Sequence, residues 1–371
     1  MKTNIFKSKA MRLGAFALLG GALISTTGCS KDNINNLFFT VKGEKLEVVF
    51  CDRGASVYSM KYDGKYVTYH PKNKKTFITN NYYGKCVGRI TGRIPDGNLR
   101  VGSKEYNLEI NETKGGKNNC LHGGTNGLFN KNWTHTIVEK ENYYEVIFKY
   151  VSPAGESGFP ETLNVRYVYR VSKTDGKLDI VIDAGASGLT PVNLTFHPYI
   201  RLGDSGTVEN HTLKLDAKYM GEYDSEGHQT VMKSIKIEGE SPWDFSSEKT
   251  IGKDVKKAAE LDPASNGYDH IWHFRDDDGK PIDFNVSLTN PDTKLKLDVT
   301  SEDSDGVIMY TNCWKVDGQE MNDGELDAQY AAITIEPYTF FTTEQQSIEK
   351  MFIDKGKSFS RHITYNFSST N

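Results

Sequence analysis

The chain has 371 residues, of which 45 are lysine or arginine, 49 are aspartate or glutamate and 37% are hydrophobic. Ample apolar content without a fixed glycine or proline period excludes collagen, a coiled coil and a mostly disordered chain. The formal net charge of -4 argues against a nucleic-acid-binding protein, because such proteins need a basic face to neutralise phosphates. We therefore expect a globular fold with one large core or two ordinary ones.

The first 28 residues have the pattern of an export signal. Four basic residues precede an apolar run over residues 13–24 that is too short to span a bilayer as a helix. Residues 26–29, Thr-Thr-Gly-Cys, resemble a bacterial lipobox, although Thr26 stands where an aliphatic residue is usual. We expect a signal peptide over residues 1–28, lipidation at Cys29 and a polar tether over residues 29–37. The protein would then be exported to the periplasm or outer membrane and held there only by this lipid; a single-pass anchor is the alternative.

Four cysteines follow Cys29, namely Cys51, Cys86, Cys120 and Cys313. None of them lies in a C-x-x-C pair, which argues against a zinc ribbon or a thioredoxin-like redox site. Export would permit disulfides, but four scattered thiols in a chain of this length do not require any. We expect small buried residues, and the pattern leaves their disulfide status open.

Alternation of apolar and polar residues indicates β-strands along most of the chain. In five runs every second residue is aliphatic, β-branched or aromatic, which is the pattern of a strand with one buried face. These runs are residues 144–150, 163–171, 178–182, 295–299 and 363–367. Turn-forming residues separate such runs at 174–176, 278–280 and 304–306.

Only residues 247–261 have helical spacing, because Ile251, Val255 and Ala259 recur every four residues. A long series of strands with few short helices predicts an all-β fold, either a large antiparallel β-sandwich or a barrel. No internal repeat, low-complexity tract or Pro/Gly-rich linker follows residue 37. We therefore expect a single domain over residues 38–371.

Two polar residues occupy positions where the strand pattern predicts apolar ones. Glu336 follows the apolar run 331–335, and a partly desolvated carboxylate has a raised pKa and is a better base. His197 lies beside Phe196 in another apolar strand, where an imidazole could serve as an acid near neutral pH. Structural alternatives are a buried ion pair with an arginine for Glu336 and a hydrogen-bonded core residue for His197.

Six segments occur in the order and approximate spacing of one enzyme family. They are residues 88–94 (GRITGRI), 119–124 (NCLHGG), 152–160 (SPAGESGFP), 190–199 (TPVNLTFHPY), 267–270 (GYDH) and 333–338 (ITIEPY). Together they resemble the aldose 1-epimerase (galactose mutarotase) family. The resemblance implies a large β-sandwich with an open sugar-binding cleft, no cofactor, and a free hexose of the galactose or glucose type as substrate, whose α and β anomers are interconverted.

The resemblance also implies a role for five residues. Glu336 matches the family's general base and His197 its general acid, while His122 matches a histidine that contacts the sugar near its ring oxygen. Arg93 and Asp269 match residues that hold the sugar hydroxyls. For two of these positions a structural alternative stays open, since Arg93 could be a surface strand residue and His122 a tight-turn residue.

The sequence departs from the family pattern at two positions. Gly92 stands where asparagine is usual, and Tyr338 stands where glutamine is usual. Neither change touches the proton-transfer pair, but both could alter which sugar hydroxyls are recognised.

Two other functions stay open at this point. A non-catalytic glycan-binding lipoprotein could use the same fold, and an epimerase of a phosphorylated sugar would need basic residues beyond Arg89 and Arg93. A metal site is not expected, because His270 and His273 form an H-x-x-H pair without a properly spaced third ligand. Residues 276–279 (DDDG) fit a hairpin turn better than a calcium loop.

Overall fold

The computed structural model describes residues 34–79, 81–113, 116, 118–224 and 229–370, together with the backbone of residues 23 and 24. The predicted signal peptide, Cys29 and the first part of the tether lie outside the described residues, apart from the two-residue strand β1 (Leu23–Ile24). The end of the tether, Ile34–Leu37, is a 3₁₀ helix. Its last carbonyl, that of Leu37, accepts a hydrogen bond from the Asp52 amide, so this part of the tether is attached to the fold.

The largest sheet has ten antiparallel strands and contains all five alternating runs that the sequence predicts as strands. In spatial order its strands are β1, β11 (Thr134–Glu139), β12 (Tyr143–Ser152), β13 (Leu163–Ser172), β14 (Lys177–Ala186), β28 (Ser358–Ser369), β24 (Leu295–Ser301), β23 (Phe284–Asn290), β18 (Thr212–Leu215) and β21 (Lys249–Thr250). In β13, for example, Val165, Tyr167 and Tyr169 are buried, whereas Asn164 and Arg166 are exposed. The alternation therefore identified the buried face of each strand correctly.

A six-stranded sheet and a four-stranded sheet provide the other layer. The six-stranded sheet runs in the order β17 (Tyr199–Ile200), β26 (Ile333–Tyr338), β25 (Gly306–Tyr310), β22 (Asp269–His273), β19 (Tyr219–Tyr223) and β20 (Val231–Lys236). The four-stranded sheet runs in the order β2 (Phe38–Lys42), β3 (Leu46–Cys51), β4 (Ser56–Tyr62) and β5 (Lys65–Tyr66).

Side chains from all three sheets meet in a shared hydrophobic cluster. Phe148 and Ile180 of the ten-stranded sheet belong to the same buried cluster as Phe50 of the four-stranded sheet and Trp272 and Ile335 of the six-stranded sheet. Face-to-face burial of this kind is the arrangement of a β-sandwich. The predicted all-β sandwich is confirmed.

Four pairs of short antiparallel strands connect the larger sheets. They are β6 (Lys85–Val87) with β16 (Thr195–His197), β7 (Arg93–Pro95) with β10 (Asn119–Leu121), β8 (Asn98–Val101) with β9 (Lys104–Asn107), and β15 (Thr190–Pro191) with β27 (Phe352–Ile353). Three of the six sequence segments that resemble the family lie in or beside the first two pairs, so these pairs bring distant parts of the chain together.

The helices are short, and the one predicted from the sequence begins later than expected. The α-helices are α1 (Lys74–Phe77), α2 (Val255–Leu261) and α3 (Gln345–Glu349). The prediction of a helix over 247–261 was wrong in its first half, because Lys249 and Thr250 pair with β18 and Ile251–Lys253 is a 3₁₀ helix. The helices α1 and α3 are too short to show a periodic pattern. No helix in the described ranges is long and apolar enough to cross a membrane.

The four cysteines after Cys29 are free thiols and all are buried. Burial raises the pKa of Cys51, Cys120 and Cys313 to about 12, so these side chains are neutral and unreactive near neutral pH. The expectation that they are small buried residues is confirmed.

Candidate active site

A cavity of about 200 Å³ lies against the six-stranded sheet. Strands β22, β25 and β26 supply part of its lining, and the short strands β7 and β16 supply another part. The five residues that the resemblance singled out come from separate parts of the chain but all line this cavity: Arg93, His122, His197, Asp269 and Glu336.

Glu336 and His197 meet at the buried floor of the cavity. Glu336, in β26, is 0% exposed and His197, in β16, is 4% exposed. The Nε2 atom of His197 lies 3.3 Å from Oε1 of Glu336. The same oxygen accepts a hydrogen bond of 2.9 Å from the Thr334 hydroxyl, which lies two residues earlier on the same face of β26. A carboxylate and an imidazole are thus held side by side by two different strands.

Burial shifts the pKa values of this pair in opposite directions. Desolvation lowers the pKa of His197 to about 3 and raises the pKa of Glu336 well above its usual value. The direction for Glu336 agrees with the expectation from the sequence. His197 differs, since an imidazole with so low a pKa is neutral near pH 7 rather than protonated. Between the two pKa values the pair holds a single proton, and these directions place it on the carboxyl group of Glu336.

Each member of the pair also has a buried atom without a hydrogen-bond partner among the described residues. These atoms are Oε2 of Glu336 and Nδ1 of His197. Most buried polar atoms in proteins are hydrogen-bonded, and an exception calls for an explanation such as a catalytic role or a bound molecule. The floor of the cavity therefore has unused hydrogen-bonding capacity.

His122 lies beside this pair and is fixed in one tautomer. Its Nδ1 accepts a hydrogen bond of 3.3 Å from the Gly92 amide, which leaves the proton on Nε2. Burial, with the nearby His197 and Arg93, holds the pKa of His122 well below its usual value. Tyr82 packs against both imidazoles, with ring centroids 4.9 Å from His122 and 5.5 Å from His197. His122 is therefore a neutral donor next to Glu336 and His197.

A tight turn gives His122 this position. His122 and Gly123 have positive φ values of 51° and 90°, and a β-carbon on Gly123 would lie 2.0 Å from the Gly88 carbonyl oxygen. Only glycine allows that approach. The turn follows β10, whose Leu121 pairs with Arg93 of β7, so one local structure positions both His122 and Arg93.

Arg93 and two carboxylates form one wall of the cavity. Arg93 donates to both oxygens of Glu112, at 2.9 and 3.0 Å, and to Oδ2 of Asp269 at 3.1 Å. Burial alone would lower the pKa of Arg93, but the charges of Asp269 and Glu112 raise it well above its usual value. The guanidinium is therefore always charged and fixed in a bidentate geometry. Polar groups of both kinds, donors and acceptors, thus face the cavity.

A closed set of hydrogen bonds, which we call the Asp269 ring, holds this wall from behind. The Asp269 amide donates to Nδ1 of His270 at 3.1 Å, and Nε2 of His270 lies 3.2 Å from Oδ2 of Asp262. The Ser265 hydroxyl donates to that same Asp262 oxygen. The Gln229 amide group then donates to the Ser265 hydroxyl at 2.6 Å and to the Asp269 carboxylate at 3.4 Å. The ring begins and ends at Asp269, so its backbone and its side chain are fixed together.

Hydrogen bonds within the Asp269 ring stabilise the negative charge of Asp262. Burial alone would raise the pKa of Asp262, but hydrogen bonds from His270 and Ser265 hold it below its usual value. His270, one member of the H-x-x-H pair, therefore helps to hold Asp269 in the cavity wall.

Comparison with known proteins identifies the family of this chain. The family model described as aldose 1-epimerase matches residues 38–366, most of the chain. The chain belongs to the aldose 1-epimerase family. A 138-residue segment is 36% identical to human galactose mutarotase and covers 37% of each chain. A 192-residue segment is 30% identical to the Streptococcus thermophilus aldose 1-epimerase and covers 51% of this chain and 50% of that one. These matches therefore span about a third to a half of the curated relatives' lengths.

Solved structures of the family share the fold over nearly the whole domain. A galactose 1-epimerase from Lactobacillus acidophilus has a TM-score of 0.78 at 20% identity, covering 90% of this chain and 95% of that chain. An aldose epimerase homologue from C. elegans has a TM-score of 0.77 at 22% identity, covering 90% and 99%. At these identities the similarity establishes the fold.

Of the two residues that depart from the family pattern, one lines the cavity and the other does not. Gly92 lines the cavity, so the missing side chain leaves space there. Tyr338 is 0% exposed, packs near Phe341 and does not line the cavity. Tyr338 packs in a hydrophobic cluster with Ile271 and Ile308, which do line the cavity, so an effect of Tyr338 on recognition of sugar hydroxyls would be indirect and stays a prediction.

Arg89, the other arginine of the first family segment, is also structural. It is 2% exposed and donates to the carbonyl oxygens of Ser152, Pro153, Pro160 and Glu161. The segment 152–160 therefore serves to bind this arginine and contributes no side chain to the cavity.

Several residues of the cavity were not predicted from the sequence, notably Glu112, Tyr82 and Gln229. All three lie outside the strands, where polar and aromatic residues are common and no periodicity distinguishes them. A buried arginine needs a carboxylate partner, but the carboxylate nearest to Arg93 in sequence, Asp96, binds Asn118, whereas Arg93 binds Glu112 and Asp269.

Three side chains near the floor have donor atoms close enough together to bind one metal ion. The donor atoms of His122, His197 and Glu336 all lie within 4.8 Å of one another. Two imidazoles and a carboxylate form a donor set that zinc accepts. The same side chains could act in acid–base chemistry or bind a metal ion. Removal of metal ions by a chelator distinguishes these two roles.

Proposed function

We propose that this protein is an aldose 1-epimerase that interconverts the α and β anomers of a free hexose of the galactose or glucose type. The observation that carries the proposal is the buried contact of 3.3 Å between His197 and Glu336 at the floor of the cavity. Family membership over residues 38–366 supports it. The cavity of about 200 Å³ is smaller than the sites of drug-sized ligands, roughly 300–1,000 Å³, and suits one sugar ring.

The reaction needs one base and one acid close together. Glu336 removes the proton from the hydroxyl on the anomeric carbon while His197 gives a proton to the ring oxygen. The bond between the anomeric carbon and the ring oxygen breaks, and the anomeric carbon becomes an aldehyde. Rotation about the bond between the first two carbons presents the other aldehyde face. Reclosure returns both protons, so atoms and charge balance without a net redox change or hydrolysis.

The single proton of the pair explains how the two buried groups can act as base and acid at the same time. Both reacting oxygens are bonded to one carbon, so base and acid must act within a few ångströms of each other. The proton moves from the carboxyl group to the imidazole across the contact with Glu336, which gives an ionised base and a protonated acid. A positioned acid–base group contributes roughly 10²–10⁴-fold to the rate.

The remaining polar residues hold the sugar. His122 donates from Nε2 toward the ring oxygen, and the wall of Arg93 and Asp269 binds hydroxyl groups. Glu112 shares Arg93 with Asp269, so the wall offers acceptors as well as donors. A phosphorylated sugar fits less well, because the only cavity-lining arginine among the described residues is already bound to two carboxylates.

Polarimetry on freshly dissolved α-D-glucose and α-D-galactose tests the proposal. The protein should speed the decay of optical rotation in proportion to its concentration. Sugar binding without faster decay would instead indicate a non-catalytic glycan-binding protein on the same fold.

We also propose that the protein is an exported lipoprotein anchored through Cys29. The basic, apolar and lipobox-like segments of residues 1–29 support it. Replacement of Cys29 by serine should abolish labelling of the protein by radioactive palmitate and release it from the membrane fraction. Unchanged labelling in that variant would contradict the proposal.

A further inference from the structure

One exposed aromatic side chain lies at the cavity and has no role in the reaction above. Trp314 is 56% exposed and lines the same cavity as Glu336 and His197. In the described part of the chain the large exposed hydrophobic residues are Val151, Leu189, Met232, Leu261, Trp314, Val316 and Leu326. Trp314 is the aromatic member of this set and the one that contacts the cavity. Its exposure places it at the rim, whereas the catalytic pair lies at the floor.

The loop that carries Trp314 is fixed at both ends by one buried carboxylate. Asp327 is 5% exposed and accepts hydrogen bonds from the Asn312 amide group at 3.0 Å and from the Val316 backbone amide at 2.8 Å. Between these two points the Trp314 amide donates to the Tyr310 hydroxyl at 3.0 Å. Tyr310 itself lines the cavity. The indole is therefore presented to solvent by a preorganised loop.

A rigidly held, exposed tryptophan is explained by a ligand better than by packing. Ligand cavities are lined mainly by apolar and aromatic side chains together with a few polar groups, and Trp314 occupies such a lining position. An indole offers a large flat apolar surface at small cost in conformational entropy. The apolar face of a pyranose, formed by its C–H groups, is complementary to such a surface.

The geometry of the reaction decides which part of a ligand reaches Trp314. The anomeric carbon must lie at the floor, because Glu336 and His197 are buried there. A cavity of about 200 Å³ is filled by that one ring. The side of the ring opposite the anomeric carbon, which carries the hydroxyls on carbons 4 and 6, then faces the rim. A second sugar attached there would leave the cavity along Trp314.

We propose that Trp314 forms a second sugar subsite, which contacts a sugar unit linked to carbon 4 or carbon 6 of the ring in the cavity and raises kcat/KM for such substrates relative to a free hexose. This inference rests on the proposed epimerase function. It names Trp314 as the residue that favours a longer substrate over a free hexose.

Exchange spectroscopy by NMR tests this inference, because it measures interconversion of the two anomeric proton signals at equilibrium for any reducing sugar. The substrates are glucose, maltose (linked through carbon 4) and melibiose (linked through carbon 6). The variants are Trp314→Ala and Trp314→Phe, with Val316→Ala as the matched control. Val316 is 49% exposed on the same loop and does not line the cavity.

For Trp314→Ala we expect the ratio of kcat/KM for at least one disaccharide to kcat/KM for glucose to fall about tenfold, as for loss of a binding hot spot. Trp314→Phe should recover most of this ratio, and Val316→Ala should keep the wild-type ratio. An equal effect of Trp314→Ala on glucose and on both disaccharides, or no effect on any of them, would overturn the inference, as would wild-type protein active on glucose alone. Wild-type protein inactive on all three sugars would instead overturn the proposed function.

Discussion

Two buried polar centres in this protein, the cavity floor and the Arg89 centre, differ in whether their polar atoms have hydrogen-bond partners. At the Arg89 centre, the guanidinium donates to four carbonyl oxygens and to the Ser152 hydroxyl. At the cavity floor, Glu336 and His197 are as deeply buried, yet each has an atom without a partner among the described residues. Satisfied polar groups hold a fold together, whereas unsatisfied ones at a cavity are available to a ligand. The comparison predicts that substitutions at the two centres separate activity from stability.

The largest expected effect on activity comes from Glu336→Gln. It removes the base while keeping the shape of the side chain, so turnover should fall by roughly 10²–10⁴-fold. The free energy of unfolding should not fall, because a buried neutral amide replaces a group that is costly to ionise there. Polarimetry, calorimetric sugar binding and urea unfolding measure the three quantities, and Glu105→Gln, at an exposed position, is the control. Near-wild-type turnover by Glu336→Gln would remove Glu336 from the mechanism.

The opposite pattern is expected for Arg89→Met. Loss of the guanidinium leaves several carbonyl oxygens without donors, which should lower the free energy of unfolding by about 3 kcal/mol. The kcat/KM of the fraction that remains folded should be close to that of the wild type, since Arg89 lies outside the cavity. Arg166→Met is the matched control, because Arg166 lies on the exposed face of β13 and should change stability by at most about 0.5 kcal/mol. Equal stability of the two variants in urea unfolding would refute the structural role.

A smaller effect on activity is expected from a substitution in the Asp269 ring. The ring is fully hydrogen-bonded, like the Arg89 centre, but it supports a wall of the cavity. Ser265→Ala removes the hydroxyl that links Gln229 to Asp262, which costs about 1 kcal/mol of positioning. We expect KM for the sugar to rise about fivefold, with kcat changed less than twofold. Ser205→Ala, at an exposed position, should alter neither constant. A Ser265→Ala variant that lowered kcat and left KM unchanged would contradict the proposed function of the ring.

Chelation should have no effect on activity if the floor works by acid–base chemistry alone. Prolonged dialysis against EDTA should leave the rate of mutarotation unchanged, and added zinc should inhibit, since it would occupy His122, His197 and Glu336. Loss of activity on dialysis with recovery on adding a divalent cation would assign these three residues to a metal site instead.

Much of the fold could be predicted from the sequence, because strand periodicity is a local property. The alternation in residues 163–171 or 363–367 identified both the strand and its buried face. The helix at 247–261 was predicted too long, since Lys249 and Thr250 complete a ladder with β18 that local spacing cannot reveal. Tertiary pairing overrides a weak local preference in this case.

The site could be predicted only in part. Glu336 and His197 were conspicuous because each interrupts an apolar strand, and the family resemblance supplied their roles. Glu112 and Gln229 were missed, because their importance comes from contacts with Arg93 and Asp269 that are distant in the sequence. The ionisation of His197 was also out of reach, because its low pKa comes from complete burial, which only the packed structure shows.

The pH dependence of kcat/KM tests the central claim most directly, because it reports the ionisation of the free protein. One proton on the pair is required, so activity should fall only when a second proton is added, near the His197 pKa of about 3, or when the last is lost above the raised pKa of Glu336. We therefore predict that kcat/KM stays constant as the pH is lowered through about 4.3, the ordinary glutamate pKa. A loss of kcat/KM near that value would contradict the claim that the buried pair holds one proton.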